Sequence, residues 1–275
     1  MIIITGTHLR HRYLAATLCA TGLVKGVIFE QRQNLQQAAE DKAGVLPSHL
    51  DHLLKHHFAM QRLAEEYFFA EAAQQELGVP TLEIAVEELN GPKVMAFMQK
   101  LQPHMVLSYG CHKLSAELMA SVPNCRFLNT HGGLSPEYRG TTTHFWPSYF
   151  LEVAMTGMTL HETTDKLDGG NILLTTNYEL TPDDTLHMVA GRTLKGYTEK
   201  LVALLPQLNL GALPSGVKQK NTGKLFLSSD WRPEHLRLIY DFYGDNIVNL
   251  TIKGELVGRN PNLIDVLTPA IAIKK

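Results

Sequence analysis

Short apolar runs, each closed by a turn signal and followed by a longer stretch of helical periodicity, recur from the first residues of this chain to about position 205. Ile2-Ile3-Ile4 ahead of Thr5-Gly6 reads as a buried strand ending in a turn, and a helix is predicted over Arg10 to Thr21. Leu23 to Glu30, Thr81 to Ile84, Met105 to Tyr109 and Arg126 to Thr130 read as further strands. Between them lie a long helical region from Pro47 to Leu77, stopped by Gly78-Val79-Pro80, and shorter helices from Gly91-Pro92 to Leu101 and near Ser115 to Ala120. Alternation of this kind buries a sheet on both faces. The fold class it implies is α/β, a Rossmann-like, mostly parallel sheet with helices on both sides. Ligands collect at the carboxyl ends of such strands, which directs attention to 110–113 and 129–140.

Farther along, Met155 to Leu180 is strand-rich around a loop from Thr163 to Gly170, and Thr181-Pro182-Asp183 introduces a helix over Thr185 to Leu205. The remainder reads differently. Leu208 to Gly223 has linker composition, Pro233 to Tyr243 is amphipathic, and Ile247 to Leu250 and Glu255 to Val257 flank Lys253-Gly254 as a hairpin would. The predicted organisation is one large domain over 1–205 and a small C-terminal α+β appendage over 206–275. Leu236, Ile239, Tyr240 and Tyr243 share one helical stripe, so the appendage should dock on the core or on a second copy of the chain. A homodimer is one option that the sequence leaves open.

The chain has 275 residues and 44% hydrophobic residues, enough for a sizeable core. Its 25 Lys plus Arg against 27 Asp plus Glu leave no basic surplus for a polyphosphate backbone, which argues against a nucleic-acid partner. Cys19, Cys111 and Cys125 stand in unrelated contexts, as expected in a reducing compartment. With neither a signal-peptide pattern nor a membrane-length apolar run, a cytoplasmic location is expected.

The densest chemistry lies in Phe127 to Gly140, FLNTHGGLSPEYRG. Asn129 and His131 are two apart at a strand end, so both side chains can face the same side. An amide donor beside an imidazole suits attack on a carbonyl, where an oxyanion develops and the nucleophile must lose a proton. For an isolated N-x-H the plainer reading, a capping Asn and a loop-bonded His, would be favoured. Here Asn129-Thr130-His131 is followed by Pro136-Glu137-Tyr138-Arg139-Gly140, then Gly157-Met158-Thr159-Leu160-His161, then Asp168-Gly169-Gly170-Asn171-Ile172-Leu173. In these blocks and their order the chain resembles the folate-dependent formyltransferases, a family that includes glycinamide ribonucleotide, methionyl-tRNA and nucleotide-sugar enzymes.

The resemblance covers roughly 1–205 and implies a formyltransferase catalytic domain there, with formyltetrahydrofolate as cosubstrate and no metal. It implies Asn129, His131 and Asp168 as the catalytic trio. Asn129 would bond the developing oxyanion, His131 would stabilise it and help remove the amine proton, and Asp168 would orient His131. By the same resemblance Cys111, His112, Lys113 and Leu114 would bind the pterin through backbone groups, with the loop carrying Thr164 and Leu167 as the other wall. Gly132-Gly133 stands where many members have Pro-Ser, implying a looser loop or one shaped for another acceptor. Of 13 histidines, His52, His56 and His57 share a helix, but no HExxH arrangement accompanies them and a metal site is disfavoured.

The long helix and modest tail are most similar to the sugar N-formyltransferases, implying a nucleotide-linked amino sugar for a surface polysaccharide as acceptor. A siderophore-type hydroxylamine, glycinamide ribonucleotide, or a folate-binding module without turnover are the alternatives.

Overall fold

The computed structural model describes residues 1–31, 46–209, 214–219 and 223–268. Seven strands form one sheet: β1 (Ile2–Gly6), β2 (Gly26–Glu30), β3 (Thr81–Ile84), β4 (Met105–Tyr109), β5 (Arg126–His131), β7 (Gly157–Glu162) and β8 (Ile172–Asn177). Their order is β3-β2-β1-β4-β5-β7-β8, parallel as far as β5 and antiparallel beyond it. This is the mostly parallel, Rossmann-like sheet the alternation predicted. Side chains alternate across it: Ile3 joins the core on one face, and Ile2 and Ile4 join the core on the other. An all-apolar strand is stable here because neither face meets water.

Helices α1 (Leu9–Cys19) and α6 (Leu186–Asn209) cover the first face through Leu14, Leu18, Tyr197 and Leu201. On the second face, α3 (Pro92–Leu101) and α4 (Ala116–Ala120) contribute Val94, Met98 and Leu118. The long predicted helix is α2 (Ser48–Ala73), which packs on α1 and α6. A third cluster joins Leu53 and Leu54 of α2, Phe145 and Trp146 at the start of α5 (Trp146–Tyr149), and Leu186 and Val189 of α6 to the C-terminal region.

That region departs from the sequence reading. The amphipathic stretch is not one α-helix but a 3-10 turn over Pro233–His235 and a π-helical turn over Leu238–Phe242. Its stripe nonetheless docks: Leu236 and Ile239 are fully buried, with Trp231, Tyr240 and Tyr243 packed around them. The expected hairpin does not form, because Ile247–Ile252 is a short helix, α7, that buries Ile247 and Val248. Lys253-Gly254 ends that helix: Gly254 takes φ +75 and bonds back to Thr251 O at 3.0 Å, and Glu255 N–H reaches Leu250 O at 2.9 Å. The same glycine that would turn a hairpin here closes a helix.

Of the stretch read as a linker, 210–213 and 220–222 lie outside the described residues. Residues 214–219 run along the start of β8, with Val217 and Ile172 exchanging backbone hydrogen bonds of 2.8 and 2.9 Å. A strand the sequence did not reveal, β9 (Lys224–Phe226), pairs in parallel with β6 (Tyr138–Gly140). Among the described residues, no helix is long and apolar enough to cross a membrane.

Candidate active site

Strand β5 delivers Asn129 and His131 at its carboxyl end, between β4 and the antiparallel β7. Register puts Ser108 of β4 beside Asn129 on one flank and His161 of β7 on the other. The Asn129 amide is held from both: Ser108 Oγ donates to its Oδ1 at 2.8 Å, and its Nδ2 donates to His161 Nε2 at 3.1 Å. His161 Nδ1–H donates to Glu162 O at 2.8 Å, which leaves Nε2 as the acceptor in the neutral ring.

His131 is buried and its Nε2–H donates to Tyr138 O at 2.7 Å, so Nδ1 is the basic atom of the neutral ring. Nδ1 lies 3.5 Å from Asp168 Oδ2, and His161 Nε2 lies 3.5 Å from Asp168 Oδ1. The carboxylate also accepts Gly140 N–H at 2.8 Å. Asn129, His131 and Asp168 thus meet in one cluster, with His161 between the first and the last.

The electrostatics follow from burial and partners. Burial would raise the Asp168 carboxyl, but the attraction of His131, the Gly140 N–H and the attraction of His161 outweigh it and bring it to about 2. Burial lowers the His131 imidazole; Asp168 and the Tyr138 carbonyl oppose that without reversing it. His144 donates from Nε2 to Gly157 O at 3.1 Å, and burial brings it to about 4. Near pH 7 the site therefore holds an ionised Asp168 carboxylate together with neutral His131 and His144 rings.

The loop after His131 is tied down, contrary to the looser loop expected from Gly132-Gly133. Thr143 Oγ1 donates to Gly132 O, Thr159 Oγ1 donates to Gly133 O at 2.6 Å, and Ser135 N–H donates to Thr159 Oγ1 at 3.0 Å. A Cβ at Gly133 would stand 2.5 Å from Tyr138 O and 2.7 Å from His131 Nε2, inside the hydrogen bond that orients the imidazole.

The residues proposed for the pterin lie on two loops that touch. Lys113 Nζ donates to Asp165 O at 2.6 Å, joining 111–114 to the segment carrying Thr164 and Leu167. Cys111 is half-buried, His112 and Lys113 are exposed, Leu114 is buried beneath them, Thr164 is half-buried and Leu167 is 48% exposed. His112 N–H donates to Glu30 Oε2 at 3.0 Å, and Lys113 O accepts Asn90 Nδ2 at 3.0 Å. Elsewhere, His52 and His56 are exposed on α2, and His57 turns inward to Tyr240 Oη at 2.8 Å and His187 Nε2 at 3.2 Å.

Sequence reasoning assigned no role to His161, Ser108, Tyr138 or Gln219. His161 lies within the Gly157–His161 block, and only its register opposite Asn129 brings it into the site. Gln219 Nε2 donates to Asp168 O at 2.8 Å and to Gly170 O at 2.7 Å, a contact that nothing local in the sequence signals.

A family model described as formyl transferase matches residues 32–205. The bifunctional polymyxin resistance protein ArnA of Wigglesworthia glossinidia brevipalpis is 30% identical over 122 residues, 44% of this chain. The match takes in only 18% of that relative's length. A sugar N-formyltransferase structure from a Shewanella species aligns with a TM-score of 0.54 at 17% identity, covering 86% of each chain. Glycinamide ribonucleotide transformylase 1 of Symbiobacterium toebii aligns with a TM-score of 0.52 at 18% identity, covering 79% of this chain and 92% of its own. At such identities the two structures speak for the fold.

Proposed function

The chain belongs to the formyl transferase family as a folate-dependent enzyme, and we propose that its acceptor is the amine of a nucleotide-linked amino sugar made for a surface polysaccharide. The observation that carries this reading is the third hydrophobic cluster. Helix α2 and the C-terminal region meet α5 and α6 there, beside the loop that holds His131. A small purine precursor does not require that added structure, and the sugar N-formyltransferase alignment extends over more of this chain than the purine-pathway one.

The two touching loops suit a reduced folate. Leu167 offers an apolar edge for a flat ring, and Lys113 is a cation for an anionic tail. His112 N–H and Lys113 C=O already have protein partners, so ring recognition falls to other groups of the two loops. The folate supplies the formyl carbon; once the new C–N bond has formed, the folate nitrogen departs and takes up the proton that the attacking amine lost.

Asn129 stabilises the oxygen that becomes anionic, using the amide N–H that His161 does not hold. His131 takes the proton of the attacking amine on Nδ1, and Asp168 at 3.5 Å stabilises the resulting imidazolium. Deep burial strengthens that charge pairing relative to water.

The test is a panel of UDP- and dTDP-linked 3-amino and 4-amino sugars, glycinamide ribonucleotide and an N-hydroxylated diamine, each incubated with formyltetrahydrofolate. Release of tetrahydrofolate coupled to a mass gain of one CO on an amino sugar is the expected result. Turnover of glycinamide ribonucleotide alone would replace the acceptor assigned here. Folate turnover without any amine would indicate a hydrolase.

A further inference from the structure

Asp168 faces a difficult geometric demand. It is a non-glycine residue at φ +47, in the left-handed region, and its carboxylate must sit between two imidazoles while accepting the Gly140 N–H. Such a conformation persists only where surrounding structure enforces it. Gly140 belongs to β6, which β9 holds through pairing at Gly140 and Phe226. From the other side the brace is Gln219, whose single amide nitrogen bonds both Asp168 O and Gly170 O and so closes the turn over 168–170. Gln219 is itself placed by the Val217–Ile172 backbone pair two residues earlier. Its Oε1 is buried without a hydrogen-bond partner among the described residues, so the side chain is satisfied only through its two donated bonds.

We propose that Gln219, outside the segment matched to the family, is a positioning residue for formyl transfer, fixing the 168–170 backbone so that the Asp168 carboxylate stays within reach of His131 and His161. The inference rests on the reading that Asp168 supports proton uptake by His131. Gln219 does not touch the reacting atoms; it acts through the backbone of a residue that faces them.

The test compares Gln219→Met, which keeps length and volume but cannot donate, with Gln219→Leu and with Asp168→Asn in the full chain. The first readout needs no acceptor: NMR titration of the His131 imidazole in protein labelled at histidine. That ring is faced by Asp168, His161, Arg139 and His144. Asp168 favours its protonated form, so loosening the carboxylate should move the His131 titration to lower pH in both Gln219 variants, in the direction of Asp168→Asn but less far. The second readout is turnover with the UDP-linked 4-amino sugar. Here kcat should fall about tenfold, as for a misplaced catalytic group, with the folate KM within about twofold.

A merely structural role would lower the melting temperature and leave the His131 titration and kcat unchanged; that result overturns the proposal. If Asp168→Asn is slow and shifts His131 while neither Gln219 variant does, the brace is wrong and the reading of Asp168 survives. If Asp168→Asn leaves both readouts at wild type, the reading fails and the brace with it.

Discussion

Asp168 keeps its charge where burial opposes it, because two imidazoles and one backbone N–H converge on it. His131 is pushed the other way, below its ordinary value of 6.5, and is neutral near pH 7. A base must be unprotonated to act, so turnover should rise with pH through the His131 titration and level off above it. We predict an acid limb with its midpoint below 6.5, moving to lower pH in Asp168→Asn as the carboxylate's support is lost; a pH–rate profile checks both. His131→Ala and Asn129→Ala should each lower turnover by about a hundredfold or more with little change in folate affinity, read by steady-state kinetics and folate titration. Near-normal turnover in His131→Ala would remove the mechanism. Gly133→Ala should fail similarly, since its Cβ would intrude on the His131–Tyr138 bond. The pairing of Asn129 and His131 was legible because strand side chains repeat every second residue. His161 was not, because antiparallel register across β5 and β7 is set by long-range packing.

At the scale of elements, local punctuation was read well and its meaning less well. Gly91-Pro92 opens α3 where it suggested and the Ile triplet starts β1, whereas α2 already ends at Ala73, ahead of Gly78-Val79-Pro80. Lys253-Gly254 was equally clear as punctuation, yet a positive-φ glycine serves a helix end as readily as a hairpin, and burial of Ile247 and Val248 decides for the helix. Strand β9 has three residues and a partner more than eighty positions away, so no periodicity could disclose it. The start of α6 joins these scales. Its Leu186 N–H is accepted by Asp245 Oδ1 at 2.9 Å, a cap supplied from the C-terminal region. Burial raises the Asp245 carboxyl to about 6 despite that bond. A raised folded-state value contributes stability that is full below the unfolded carboxyl range and lost as pH climbs through about 6. Asp245→Asn keeps the accepting oxygen and removes the charge. It should melt a few degrees above wild type at pH 7.5, a gain of about 1–3 kcal/mol, with the gap closing toward pH 5. An equal or lower melting temperature at pH 7.5 would contradict this.

For the whole molecule, the C-terminal region is structural to the core and adjacent to the chemistry at once. Leu236, Ile239, Ile247 and Val248 complete a cluster whose other half is α2, α5 and α6. Burying each such side chain contributes about 1.5–3 kcal/mol, so together they rival the net stability of an ordinary domain. Strand β9 lies against β6, whose Tyr138 carbonyl and Gly140 N–H hold His131 and Asp168. A chain ended at residue 209 loses both supports. It should aggregate or melt far below the full chain, although every member of the proposed catalytic cluster is still encoded. Ile239→Ala separates the two supports, because it opens the cluster that Phe226 shares but removes no group of the β6–β9 backbone pairing. We expect it to cost about 2–5 kcal/mol in denaturant melts while kcat of the folded fraction stays near wild type. Disruption of β9 by Lys224→Pro should do the reverse, since proline removes the Lys224 N–H that donates to Glu137 O at 3.2 Å, in a strand whose partner anchors the site. Its kcat should fall by more than its stability accounts for. Equal kcat in all three forms, normalised to folded protein, would show that this part of the molecule supports the fold and leaves the chemistry untouched.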